Sequence, residues 1–474
     1  MSRGEKASIV RIKIRFQVLE DIMKRIPNIL AVLILLLVPL TLFGLRQNQD
    51  LRRAAFGKRA RIVVDVSQPG SPLNANLWLN FAQGGEEPKD MLAPVVNQLR
   101  QLNPKIIRVD HIFDYYVKIN GSNYDFSALD QVVNTILQTG AKPMLVLSYM
   151  PPSLAQEGRI TAPPKNWANW RRLVAATIAR YSGRNHYNIN NVYYEIWNEP
   201  DLFGGWHYGR NPNYLTLYYH TVKAAQSVNN VNSFKIGGPA TTGFYPNWIK
   251  ALLKFCQRHR LRIDFISWHR YSKHLEDYLR DFEKLNRILT NYPEYFHLER
   301  LITEFGPDSE VSPWYDNRLS AIHALAAMTR LAGKVHRIFS FEIKDGPQHN
   351  WGFISHEAEG LKLKPRYYAF SWLNQLRGNR LPLGGEGSWV SALAVQDGRW
   401  IRILVVNYDP RHRHYEAPPI TLKNLTPGNY IYQIKYFQGR ERVMRENYAE
   451  TAITKKIILP PNSAVLLQFR RIAP

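Results

Sequence analysis

The feature that most constrains this chain is an alternation, repeated eight times, of a short apolar run with a longer amphipathic stretch. The runs fall at 77–81, 106–110, 143–148, 192–197, 235–238, 265–269, 301–304 and 338–342. Each is rich in β-branched and aromatic residues and short enough to be a strand. Segments such as 91–102, 167–181, 214–228 and 317–332 lie between them and carry apolar residues at helical spacing. Strands that alternate with helices predict a parallel sheet with crossover helices, and eight is the number that closes into a (β/α)8 TIM barrel. The expectation is an α/β chain with a barrel over 73–380, closed by a last helix at 364–376. Beyond it the texture changes to β-type runs at 400–407, 429–436 and 464–469, separated by Gly, Pro and Asn turns. That pattern predicts a small all-β sandwich over 381–474. No repeat of solenoid type is present.

The amino-terminal part has a different character. Residues 29–45 carry no charge, and at 1.5 Å per residue they come close to crossing an apolar bilayer core of ~30 Å. With no polar face, the run reads as a transmembrane anchor and not as a core helix. A basic segment, 1–28, precedes it, and a linker with a lead-in strand, 46–72, follows. The long segment ahead of the run, and the lack of a small-residue cleavage pattern after it, favour an uncleaved anchor over a signal peptide. Lys and Arg flank the run on both sides, so charge does not orient it. A cytoplasmic amino terminus, with the rest of the chain outside the cytoplasm, is expected only because polysaccharides are mostly found there.

The chain carries a net charge of +24. Residues 1–61 hold 13 Lys and Arg against 4 Asp and Glu, and the remaining 413 residues hold 49 against 34. The excess therefore persists beyond the anchor, where it suits an acidic or cell-surface polysaccharide, anionic lipid or nucleic acid. No basic stripe or binding module accompanies it, so nucleic acid is not expected as a partner. The single cysteine, Cys256, excludes an internal disulfide. It lies in the amphipathic stretch 248–260 and reads as a packed thiol; His259 is too weak an indication of a catalytic pairing. No phosphate-binding or dinucleotide fingerprint is present, and His269 and His349 lack zinc-helix spacing. Neither cofactor nor metal is expected.

Catalytic groups of a barrel sit at the carboxyl ends of its strands. Two glutamates qualify: Glu199, just after 192–197, and Glu304, closing 301–304. Glycoside hydrolysis needs one protonated and one ionised carboxyl on opposite sides of the scissile bond. Neighbours such as Trp197 and Tyr271, together with the charge of the ionised partner, would raise the pKa of the acid.

The stretch Glu195-Ile196-Trp197-Asn198-Glu199-Pro200-Asp201 resembles the acid/base signature of clan A glycoside hydrolases, and the chain looks most similar to family 39, which includes β-xylosidases and α-L-iduronidases. Further matches follow in the family's order: Ile236-Gly237-Gly238-Pro239-Ala240, Ile266-Ser267-Trp268-His269-Arg270-Tyr271, Ile302-Thr303-Glu304-Phe305-Gly306 and Lys364-Pro365-Arg366-Tyr367-Tyr368-Ala369. The resemblance spans about residues 75–470. It implies a retaining O-glycosyl hydrolase with Glu199 as acid/base and Glu304 as nucleophile. It also implies that Asn198 bonds the sugar 2-hydroxyl and that His269 and Tyr271 orient the nucleophile and line the subsite. Arg108, at the end of the second strand, is placed to hold Glu304 ionised.

One departure stands out. The family usually sets a tryptophan on the eighth strand as a platform under the sugar, whereas this chain has Glu342 there. An acidic floor repels a uronate unless Lys344 or another cation compensates, and Trp351, Trp206 or Trp314 would have to supply the platform. The alternative to an enzyme is a weak or silent polysaccharide-binding protein on the same barrel, which assists export or processing of an exopolysaccharide.

Overall fold

The computed structural model describes residues 57–472 apart from Ser122. The expected anchor at 29–45 lies outside the described residues. Among those described, no helix is long and apolar enough to cross a membrane. Residues from Arg59 onward form one unit.

Eight parallel strands close into a barrel: β1 (Asn80–Gln83), β2 (Ile106–Val109), β3 (Lys142–Val146), β4 (Val192–Glu195), β5 (Phe234–Thr241), β6 (Phe265–Tyr271), β7 (Glu299–Gly306) and β8 (Arg337–Phe341). Each pairs with its neighbour in chain order, and β8 closes back onto β1 through Phe339 opposite Asn80. Every strand expected from the apolar runs is present. The first begins three residues later than its run because Ala75–Leu77 turns as a short 3₁₀ helix, with the Asn74 side chain accepting from the Asn76 amide.

A long helix follows each strand, with one further turn of helix, Ile112–Tyr115, directly after β2: α1 (Val96–Leu102), α2 (Ser127–Gln138), α3 (Trp167–Tyr181), α4 (Tyr214–Ser227), α5 (Pro246–His259), α6 (Leu275–Leu289), α7 (Arg318–Leu331) and α8 (Pro365–Leu373). Asparagine caps at Asn166, Asn213 and Asn317 start α3, α4 and α7, each accepting from an amide of the first turn. Cys256 is buried on the inner face of α5, where burial pushes its thiol up to about 12. Inside the barrel, Ala82, Ile106, Met144, Tyr193, Phe265, Leu301 and Phe339 fill the lower interior, as barrel interiors are filled by layers of side chains.

The carboxyl-terminal β unit packs two sheets. Strands β9 (Val390–Asp397), β10 (Trp400–Asn407), β12 (Gly428–Tyr436), β13 (Glu441–Tyr448) and β15 (Ser463–Arg471), with the short Asn379–Arg380, form the larger sheet. The smaller one joins β11 (Pro419–Lys423) and β14 (Ile453–Lys456) to Leu383–Gly384 and to Ile62–Asp65, which runs parallel to β11. The larger sheet lies against α7, where Thr329 and Ser391 hydroxyls meet at 2.6 Å. That contact explains why α7 is buried on nearly all sides.

Candidate active site

The carboxyl ends of β2, β4, β6 and β7 converge on one ionic network. Arg108, fully buried at the end of β2, donates through Nε to Glu195 (2.7 Å), through Nη1 to Glu304 (2.9 Å) and through Nη2 to Asn198 Oδ1 (2.7 Å). Burial disfavours the guanidinium charge, but the charges of Glu195 and Glu304 outweigh it and raise the Arg108 pKa. One arginine thus fixes the strand that carries Glu199 and the strand that carries Glu304.

Glu199 emerges from a strained turn. Trp197 (φ 70°) and Glu199 (φ 43°) both occupy the left-handed region, which side chains other than glycine adopt at a cost of about 1–3 kcal/mol. The turn is secured by the Glu199 amide donating to Ala240 O (2.9 Å) and by the Trp197 indole donating to Phe203 O (3.0 Å). Across the barrel mouth, the pairing of β7 with β6 shifts register between Ile302 and Glu304, an irregularity of the kind that re-aims a side chain.

The two carboxylates meet at one imidazole. His269 Nδ1 lies 2.8 Å from Glu199 Oε1 and 3.4 Å from Glu304 Oε2, and the three ligand atoms all fall within 4.8 Å of one another. Burial opposes a charge on His269, yet Glu304 and Glu199 outweigh it and raise its pKa, with Arg108 3.4 Å from Nε2 pulling the other way. The network places a proton on Nδ1, between the glutamates. Glu304 also accepts from the Tyr271 hydroxyl at 2.7 Å. Burial pushes the Glu304 carboxyl upward and Glu199 adds to the rise, while His269, Arg108 and Tyr271 pull it back. Burial and the adjacent Glu304 keep the Tyr271 phenol protonated, so it remains a donor.

A cavity of about 590 Å³ opens above these groups. Of the residues singled out in the sequence, Asn198, Glu199, Tyr271, Glu304 and Trp351 line it, while Arg108 and His269 lie fully buried beneath its floor. Trp351 stacks on His349 at 4.4 Å. Trp206 is instead buried against Trp197, and Trp314 lies under the Lys273 ammonium; neither lines the cavity. Glu342 is fully buried behind the wall, where it accepts from the Gln83 amide (2.7 Å) and the Gly84 amide (3.4 Å). Lys344 does not neutralise it: its ammonium bonds Glu357 at 2.6 Å and faces Glu87.

The lining also includes Glu86, Asp110, His111, Tyr149, Phe203 and Thr242, none singled out above. Glu86, Asp110 and Tyr149 follow β1, β2 and β3, so the rule that found Glu199 and Glu304 reaches them as well. Tyr149 accepts from Asn198 Nδ2 at 2.9 Å. Among the described residues, the only sets of three or more His, Cys, Asp and Glu close enough to share a metal ion are Glu199, His269 and Glu304, and Glu87, His356 and Glu357. The first surrounds the His269 proton and abuts the Arg108 guanidinium; the second is occupied by Lys344.

Residues 108–317 match glycosyl hydrolases family 39. The chain is 29% identical over 305 residues to a β-xylosidase of Geobacillus stearothermophilus, covering 56% of this chain and 58% of that protein. It is 28% identical over 323 residues to a β-xylosidase of Caldicellulosiruptor saccharolyticus, covering 60% and 64%. The matches thus span less than two thirds of either relative. In three dimensions it superposes on the GH39 enzyme from Xanthomonas axonopodis pv. citri with a TM-score of 0.72, over 88% of this chain and 98% of that one at 20% identity, which supports the fold. The matched segment runs from Arg108 through Asn198, Glu199, His269 and Tyr271 to Glu304, and on it the chain is a family 39-like protein, a relative of the glycosyl hydrolases.

Proposed function

We propose that this protein is a retaining glycoside hydrolase that cleaves O-glycosidic bonds of a poly- or oligosaccharide by double displacement. The observation that carries the reading is the approach of Glu199 and Glu304 oxygens to within 4.8 Å across the floor of one cavity. Retaining enzymes hold their carboxyl groups about 5–5.5 Å apart, whereas a spacing of ~6.5–9.5 Å leaves room for the water of an inverting reaction.

In this reading Glu304 attacks the anomeric carbon while Glu199 protonates the departing oxygen. Arg108 and Tyr271 hold Glu304 in line, one on each oxygen. Forming the ester removes the Glu304 charge, so Glu199 then accepts the proton of the water that releases the sugar. The proton on His269 Nδ1 bridges both carboxylates and keeps their spacing. Asn198, fixed by Arg108 and Tyr149, flanks the acid on the cavity side.

Glu199→Ala tests the division of labour. Turnover of substrates with poor leaving groups falls by about 10²–10⁴-fold, while aryl glycosides that need no protonation still form the glycosyl-enzyme rapidly. Equal losses of that first step on both substrate types would remove Glu199 from the acid role.

A further inference from the structure

The cavity is acidic although the chain is strongly basic. Glu86, Asp110, Glu199, Glu304 and Glu310 line it, against His111 as its one basic lining residue among those described. Nearby cations are committed elsewhere. Arg108 is spent on Glu195, Glu304 and Asn198. Lys344 binds Glu357, and Lys364 binds Asp345 and Asp316. The fully buried Arg366 donates to Trp351 O behind the wall.

Three carboxylates beyond the Glu199 and Glu304 pair line this space: the exposed Glu310 at its rim, Asp110 and Glu86. Asp110 is 6% exposed, lines the cavity, and its Oδ1 has no hydrogen-bond partner. A buried acceptor left unpaired costs about 1–3 kcal/mol, so its retention points to a donor that arrives with a ligand. Glu86 is held in place by construction. A Cβ at Gly346 would lie 2.5 Å from Glu86 Cβ, and one at Gly84 would lie 2.4 Å from its Oε1. The Gln83 amide ties Glu86 (3.3 Å) to Glu342 behind it (2.7 Å), and the Glu342 carboxyl itself hydrogen-bonds Glu86, which raises the pKa of Glu342 and pulls that of Glu86 back.

We propose that Asp110 and Glu86 bind the ammonium group of an amino sugar, so that the unit held next to Glu304 is a cationic aminodeoxy sugar. This rests on the glycosidase reading of the site and narrows its substrate class. A neutral hydroxyl fills the vacant acceptor but adds no positive charge to the acidic lining beyond what His111 and Arg108 supply, and a uronate adds to the negative excess. An ammonium supplies three donors and a positive charge together. Burial raises both Asp110 and Glu86, the latter to about 7, and a cation bound between them reverses that cost.

The test is binding without turnover. The full chain carrying Glu199→Gln is titrated at pH 7 with methyl β-D-glucoside, its 2-, 3-, 4- and 6-amino-deoxy analogues, and methyl β-D-glucuronide. One amino analogue is expected to bind at least about tenfold more tightly than the parent, and the glucuronide more weakly than the parent. Adding Asp110→Asn or Glu86→Gln should reduce that preference, read as the ratio of analogue to parent affinity within each variant, to under about threefold. The two isosteric variants back each other up if one fails to fold, and thermal unfolding identifies such a failure. The proposal is overturned if no amino analogue outbinds the parent, if the glucuronide binds as tightly, or if the preference survives in a folded variant. Because no bond is cleaved, an inactive protein that still selects the amine removes only the glycosidase reading. An active one that shows no selection removes only this inference.

Discussion

Strand β7 carries two glutamates five residues apart, one at each end of the barrel, and they live under opposite conditions. Glu299, at the lower rim, accepts from the Lys235 ammonium (2.5 Å) and the Tyr193 hydroxyl (2.7 Å), with Arg337 4.0 Å away. Burial opposes its charge, but these partners hold its carboxyl below the usual range. Glu304, at the upper rim, is raised by burial in spite of Arg108, His269 and Tyr271. The lower carboxylate closes a satisfied ion-pair network, whereas the upper one stands beside a second carboxylate over an open cavity. A barrel fold divides its labour in this way, with stability at the amino ends of the strands and chemistry at the carboxyl ends.

Substitutions at the two rims break the comparison in opposite directions. The largest effect is expected for Glu304→Gln, which removes the proposed nucleophile and lowers turnover by on the order of 10⁴-fold or more. Arg108 keeps Glu195 as a counter-charge, so a variant that still unfolds cooperatively in denaturant would show that the loss is chemical and not a failure to fold. Turnover within tenfold of the parent protein would transfer the role to another residue.

Tyr271→Phe is the intermediate case. Loss of a hydrogen bond to a charged group costs about 1.5–3 kcal/mol, or roughly 10–100-fold in kcat/KM. The Tyr271 bond pulls the Glu304 pKa down, and the nucleophile must be ionised. Removing the hydroxyl therefore shifts the acid limb of the kcat/KM profile to higher pH. A limb that moves down or stays fixed would detach Tyr271 from Glu304.

The smallest effect on turnover, within about threefold, is expected for Glu299→Gln, which instead loses about 1–2 kcal/mol of stability at pH 7. A carboxyl whose folded pKa is depressed contributes stability above its unfolded value, and loses it as pH falls through the folded one. The stability gap between parent and variant in denaturant titrations should thus be full at pH 7 and vanish under acid. A gap that widens toward acid would contradict the assignment of Glu299.

Much of this was legible in the sequence. Eight apolar runs ended by polar residues marked the barrel, because strands buried on both faces leave no alternation to misread. Glu199 stood out as an acid just after one such run and Glu304 as the acid closing another. Asp110 lay inside one of the eight runs yet drew no notice, since an aspartate closing a strand is an ordinary turn residue. Glu86 was hidden by an error of boundary: with the first run ending at Phe81, the Gln83 to Glu86 stretch fell into a loop. The pairing of Ile62–Asp65 with Pro419–Lys423 joins segments over 350 residues apart in sequence, and no local pattern announces it. Glu342 was visible as an acid where a platform residue was expected, but its withdrawal behind Gln83 depends on packing that only the fold supplies.

The configuration of the first sugar released tests the central claim most directly. Proton NMR of early turnover, before the product mutarotates, resolves the two anomers. Double displacement through Glu304 predicts that the product first appears with the anomeric configuration of the substrate. Release of the opposite anomer would mean that water attacks directly, and would contradict the reading of Glu199 and Glu304 as a retaining pair.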